Sequence, residues 1–202
     1  MGGFHLFDEQ HSDTSRSNIQ NRKKIQFTDE IIMKLHVVSN DSTVFLRDQG
    51  DVSEIFGGRY TEIRNFCNRA SLMYEVKISV ISGKYGLITS PHCICKYKKI
   101  TDSKENYIRL EKKFCYSRKI WEESESSDVL ILFVPKDMTK IILQQCNSNC
   151  KVITVTNFAP ENNITNPDLY LIKRKGARIG KKNEQIIFEI LQSIDNQIIN
   201  PS

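Results

Sequence analysis

Nowhere in its 202 residues does the chain hold an apolar run near the roughly 18 residues that a membrane span requires. Its start also lacks the basic-then-apolar order of a secretory signal, so a cytoplasmic protein with no membrane partner is expected. Cysteine is sparse: six residues, at 67, 93, 95, 115, 146 and 150. They are spread through apparently regular segments of a chain of ordinary size, which argues against a disulfide framework and for reduced thiols, most of them in the core. His92-Cys93-x-Cys95 and Cys146-x-x-x-Cys150 miss the Cys-x-x-Cys spacing of zinc sites, so neither a metal nor a cofactor is expected. Histidine is scarcer still. His5 and His11 lie in a polar leader, His36 inside a strand pattern and His92 on a loop, which leaves Ser82 without an evident base and excludes a serine hydrolase. There is no internal repeat.

What is present fits one domain. A 39% hydrophobic content over this length suffices for one sizeable core. The net charge of +5 permits a nucleic acid or a phosphorylated ligand without requiring one. Residues 1–28 are polar with no sustained apolar period and read as an unstructured arm; residues 29–199 read as a single α/β domain. Met33 to Val38, Val76 to Ser82, Val129 to Val134, Val152 to Thr156 and Leu169 to Ile172 read as strands, several of them apolar on both faces. Apolar residues at spacings of three and four predict helices over 52–74, 104–122 and 138–145, and a last one carrying Ile187, Ile190, Leu191, Ile194 and Ile198. Right-handed crossovers would stack these into a three-layer sandwich around a mostly parallel sheet of four to five strands.

Ligands of open α/β sheets sit where the strands end at their carboxyl side. That edge gathers Ser39-Asn40-Asp41, Ser82-Gly83-Lys84-Tyr85-Gly86, Pro135-Lys136-Asp137 and Thr156-Asn157. In the second of these, Ser82 offers a hydroxyl, Gly83 and Gly86 let backbone N–H groups approach an anion, Lys84 brings a positive charge and Tyr85 a stacking face. The set suits a phosphate beside a planar ring. The competing reading is a plain tight turn with Tyr85 as a half-buried cover.

A second concentration is Lys173-Arg174-Lys175-Gly176-Ala177-Arg178-Ile179-Gly180-Lys181-Lys182, six basic residues in ten. It runs into the start of a helix, where basic residues weaken the helix but strengthen anion capture. Arg178, Gly180, Lys181 and Lys182 are therefore phosphate candidates, although the spacing is not that of a nucleotide-binding Walker loop. The plainer alternative is a solvated basic turn. From Lys96 to Lys119, basic residues interleave with Tyr97, Tyr107, Phe114 and Tyr116, as a nucleic-acid track requires. Tyr107 and Phe114 fall on the helical core stripe, which leaves Tyr97 and Tyr116 as candidate stacking rings.

The strand ending in Ser82-Gly83-Lys84-Tyr85-Gly86-Leu87, with Tyr97 following, resembles the YaaA-type peroxide-stress proteins and a related short domain of unknown function. In these a strand ends in a Ser-(Gly/Ala)-x-(Tyr/His)-Gly-(Leu/Val) turn. Gly50 to Ala70 resembles the helix before that strand, and Gly176 to Leu191 resembles the closing helix with its Gly-x-x-Ile-Gly entry. The resemblance implies an α/β fold and a stress-related role near nucleic acid or nucleotides; it supplies no catalytic residues. The relatives tend to carry a lysine-bearing turn after the first strand, which Ser39-Asn40-Asp41-Ser42 lacks.

Two functional readings follow. One is a nucleic-acid or nucleotide-binding protein holding phosphate at the glycine turns. The other is an enzyme acting on a nucleoside or nucleotide, by glycosidic-bond or base-modifying chemistry, with Asp41 or Asp137 as the acid/base group and Tyr85 stacking the base. A structural or protein-interaction module, with residues 1–28 and Trp121 as contacts, is a third.

Overall fold

The computed structural model describes residues 32–98, 103–145, 150–156, 168–173 and 179–199. The arm expected over 1–28 lies outside the described residues, as do Lys99, Cys146, Asn157 and Arg178. The elements are β1 (Lys34–Asn40), β2 (Gln49–Asp51), α1 (Tyr60–Ala70), β3 (Glu75–Ser82), β4 (Gly86–Thr89), β5 (Cys93–Cys95), α2 (Lys104–Phe114), α3 (Tyr116–Ser124), β6 (Val129–Phe133), α4 (Lys136–Gln144), β7 (Lys151–Val155), β8 (Leu169–Ile172) and α5 (Gly180–Ile199).

Six strands form one sheet in the order β4-β3-β1-β6-β7-β8. All neighbouring pairs are parallel except β3 with β4. Because successive side chains point to opposite faces, an unbroken apolar strand must be covered twice. Leu35, Val37, Val129, Ile131 and Phe133 enter the cluster beneath α1 and α5, with Phe66, Ile187 and Leu191. Val38, Leu130, Leu132 and Val134 enter the other, beneath α2, α3 and α4, with Tyr116, Trp121 and Met138. The three-layer α/β architecture expected from the sequence is the one observed.

Three details differ from the sequence reading. The sheet has a sixth strand, β4, because the chain after Ser82 turns at Gly86 and runs back antiparallel to β3, pairing Ser82 with Gly86. The helix expected over 52–74 begins only at Tyr60: Gly57 and Gly58 break it, and residues 52–56 instead turn after β2 and bridge Phe56 to Phe45. The helix expected over 104–122 is two helices, because Cys115 adopts a left-handed conformation at φ 50°. Glu111 then caps the second one, accepting the Ser117 N–H at 3.0 Å. Tyr116, offered above as a stacking ring, and Trp121, offered as a contact, are core residues, and Trp121 donates its indole N–H to the Ile142 carbonyl at 2.8 Å.

His36, fully buried on β1, has a serine hydroxyl on each ring nitrogen: Ser124 Oγ at 2.7 Å from Nδ1 and Ser79 Oγ at 2.7 Å from Nε2. Ser79 contacts Thr89 Oγ1 at 2.7 Å, and Thr89 donates to Glu123 Oε2 at 2.5 Å. Lys77 Nζ lies 3.0 Å from that same carboxylate oxygen. Burial, and secondarily the Lys77 ammonium, push the His36 pKa down to about 4, against a smaller opposite pull from Glu123. A neutral ring satisfies two hydroxyls with one N–H and one lone pair.

The unfolded chain therefore takes up a proton on His36 near pH 6.5, while the folded chain resists until about 4. Its contribution is fully present above pH 6.5 and is lost as pH falls through that window, costing about 3 kcal/mol by acid-base linkage. Urea titrations between pH 7 and 4 are expected to show this loss, and His36→Gln to flatten it. An equally steep loss in the variant would assign it to other groups.

Candidate functional site

β1 is the strand at which the sheet changes direction. The chain passes from β1 to β3 by way of α1 on one face, and reaches β6 on the other flank of β1 by way of α2 and α3 on the opposite face. Crossovers diverging in this way open a crevice above the carboxyl ends of the strands. Asn40 and Asp41 stand there, beside Pro135, Lys136 and Asp137 at the end of β6.

Asp41 exposes none of its surface. Its Oδ2 accepts the Gly83 backbone N–H at 2.9 Å and the Tyr97 hydroxyl at 2.8 Å. Tyr97 in turn accepts from Ser82 Oγ at 2.7 Å, and Ser82 Oγ accepts the backbone N–H groups of Lys84 and Tyr85 at 3.2 and 3.1 Å. The chain of protons has one direction, from amides to serine to phenol to carboxylate. Burial, then the Asp41 charge, raise the Tyr97 pKa far above its ordinary value, so the phenol stays a donor.

This network corrects one expectation. The amides of Gly83, Lys84 and Tyr85 are consumed inside the turn, and Ser82 is wholly buried, so these groups do not lie bare for an anion. Gly86 has a different use: at φ +79° it makes the hairpin turn, and a Cβ there would fall 2.8 Å from Phe114. What the turn presents outward are the side chains of Lys84 and Tyr85. The ammonium lies 4.8 Å from the centroid of the Tyr85 ring, which is 37% exposed. Tyr85 meets Tyr97 edge-on at 5.5 Å, and Tyr97 meets Phe45 at 5.3 Å, so an aromatic stack runs from the surface into the core.

Arg59 is the residue that the sequence reading passed over. It occupies the N-cap position of α1, where no side chain caps the helix, and its Nη2 donates to Asn40 Oδ1 at 3.0 Å. No carboxylate pairs with Arg59, Lys84 or Lys136 among the described residues. Gly57-Gly58, which break the helix expected over 52–74, are the available signal, since they bring the chain tightly into a helix start. A Cβ on Gly57 would meet Leu46 at 2.8 Å, and Gly58 is left-handed at φ +62°. Exposed Val44 and Leu46 form an apolar rim beside these glycines.

A small β2–β5 ladder holds this region in place. The Asp51 carboxylate joins its strands, accepting from the Ser53 N–H and O–H at 2.9 and 2.5 Å, Ser90 O–H at 2.8 Å and His92 N–H at 2.6 Å. Partial burial alone would raise its pKa, but those hydrogen bonds outweigh it and hold the carboxyl below its ordinary range.

The second basic candidate lies elsewhere. Gly180, Lys181 and the α5 start border a hollow of about 500 Å³ with Glu62, Asn65, Arg69, Ile179 and Glu184, and no residue of the 82–86 turn lines it. Glu62 accepts the Ile179 N–H at 3.0 Å and Glu184 pairs with Arg69. Two carboxylates in that hollow oppose an anion. Lys181 and Lys182 are exposed. Among the described residues of 96–119, Tyr107 and Tyr116 are buried, which leaves the half-buried Tyr97 and Phe114 as rings beside its cations. Asp137 is half-buried in the first turn of α4.

No family model, curated protein or solved structure matches the chain.

Tyr97→Phe removes one donor from a buried carboxylate and the acceptor of a buried serine hydroxyl, and is expected to cost about 1–3 kcal/mol in urea unfolding. Ser82→Ala is expected to cost a similar amount, with a double-mutant coupling of about 1 kcal/mol; additive costs would show that the two hydroxyls act separately. Gly86→Ala combines a left-handed backbone with a clash on Phe114, for an expected loss of about 2–4 kcal/mol in the same measurement.

Proposed function

We propose that this protein binds a nucleotide or a nucleic acid at the carboxyl edge above β1 and β3, with phosphate on Arg59 and Lys84 and a base against Tyr85. The observation that carries the reading is a pair of cations with no carboxylate partner among the described residues, each held through one of residues 40 and 41. Asn40 fixes Arg59, and Asp41 fixes the turn that bears Lys84 and Tyr85. A planar guanidinium that donates to Asn40 through one nitrogen suits a phosphate through its others. An exposed ring already flanked by an ammonium suits a base with its phosphate attached. The apolar rim of Val44 and Leu46 supplies a further non-polar surface at the same edge.

Enzymatic chemistry on a nucleoside gains less support. Asp41 has no exposed surface and its Oδ2 already accepts two hydrogen bonds, so it serves as a scaffold; Asp137 is the more accessible of the two acid/base candidates. The resemblance of the Ser82 to Leu87 turn to YaaA-type proteins points toward nucleic acid or nucleotides and, with them, a stress-related role in the cytoplasm. Among the described residues no helix is long and apolar enough to cross a membrane.

Fluorescence titration with labelled single-stranded and duplex oligomers and with free nucleotides tests the reading. For an oligomer, log affinity should fall linearly with log salt. Arg59→Gln and Lys84→Gln should each weaken binding and make the slope shallower by about one. Tyr85→Ala should weaken binding by about 1–3 kcal/mol with the slope unchanged. Lys181→Glu with Lys182→Glu is the comparison at the α5 start. Retained affinity in the Arg59 and Lys84 variants, with loss only in the α5 pair, would move the site to that helix.

A further inference from the structure

Cys93 and Cys95 are both exposed, and Ile94 between them is buried at 4%. Alternation along β5 therefore places the two thiols on one face of the strand, pointing to solvent. Gln49 confirms the common face. Its backbone is paired with Cys95, yet its side-chain amide donates to Cys93 Sγ at 3.4 Å, so it lies diagonally across both sulfurs. The remaining described cysteines differ: Cys67 and Cys150 are buried and Cys115 is half-buried.

Strand geometry decides what two such thiols can do. Residues two apart in an extended strand are about 6.7 Å apart, and their Cβ atoms, on parallel bonds, have nearly the same separation. A disulfide requires Cβ atoms about 3.5–4.5 Å apart, so the extended, laddered β5 does not close one. Each Sγ can lean toward the other about its Cα–Cβ bond, which shortens the sulfur separation to the range of two metal–thiolate bonds. At about 2.3 Å each, two such bonds placed in line span about 4.6 Å.

The neighbourhood restricts the ion. Among the described residues there is no group of three or more His, Cys, Asp or Glu side chains able to hold a metal. The nearby Asp51 carboxylate is engaged by Ser53, Ser90 and His92. The described residues thus offer a cation that demands four ligands, such as zinc, only half of them, whereas a soft monovalent ion is satisfied by two thiolates in line. We propose that Cys93 and Cys95 form a two-coordinate bis-thiolate site for a soft monovalent cation of the copper(I) class. Binding replaces two S–H bonds by two S–Cu bonds and releases two protons to solvent, with no change of oxidation state. The site is separate from the Arg59 and Lys84 edge and does not depend on the function proposed for it.

Competition between the reduced full-length chain and bicinchoninate for copper(I) under anaerobic conditions provides the test. The native chain should withdraw one copper(I) per chain, and Cys93→Ser or Cys95→Ser should abolish that withdrawal. Both positions are exposed, so both variants should fold, as circular dichroism will show. Cys115→Ser and Cys146→Ser should behave as the native chain does. Three results would overturn the proposal: stoichiometric copper retained in either β5 variant, one copper shared by two chains, or a Cys93–Cys95 disulfide in the mass spectrum of the folded, oxidised protein.

Discussion

A carboxylate with no access to water must be compensated where it stands, and Asp41 lies at the end of the central strand of this sheet. Among the groups that compensate it are the Gly83 amide just past β3 and the Tyr97 phenol that follows β5. Removing a charge from water costs several kcal/mol unless donors replace the lost hydration. The positions of the 82–86 turn and of the return from β5 are thereby tied to one atom, Oδ2. The Lys84 and Tyr85 side chains face outward because the backbone beneath them is committed inward.

The layered fold was legible from the runs 76–82 and 129–134, because a strand apolar on both faces leaves helices no choice but to cover both sides. The reversal into β4 was not. Gly86 is a left-handed residue in a run whose apolar character continues through Leu87 and Ile88, and composition does not distinguish a strand that continues from one that doubles back. The α2–α3 break was hidden for a similar reason. Cys115 carries neither the glycine nor the proline that usually marks such a bend, and Tyr107, Leu110, Phe114 and Trp121 keep the apolar spacing across it.

Of the candidate site, the edge, the turn and the charge and ring of Lys84 and Tyr85 were read from the sequence, but the backbone amides of the turn are not the bare donors expected. Glycine and serine after a strand were read as free donors for a ligand, yet a serine hydroxyl followed by two amides captures those amides itself. Arg59, the cation of the proposed site, was obscured because it lies inside a segment expected to be helical from residue 52. The basic run at 173–182 drew attention through composition, whereas the structure sets Glu62 and Glu184 against Ile179 and Arg69 beside its described end. Charge density along a sequence counts cations; it does not reveal which carboxylates fold back onto them.

The hydroxyl chain beneath β1 carries a consequence for the imidazole that it surrounds. Thr89 spends its only hydroxyl hydrogen on Glu123, so Ser79 must give its own to Thr89, and His36 can meet Ser79 only as an N–H at Nε2. The neutral ring is thus locked as a single tautomer with its lone pair at Nδ1, selected by a carboxylate it never touches. Ser124, lying 2.7 Å from that lone pair and 2.6 Å from the Ile120 carbonyl, is left with one hydrogen and two acceptors to choose between.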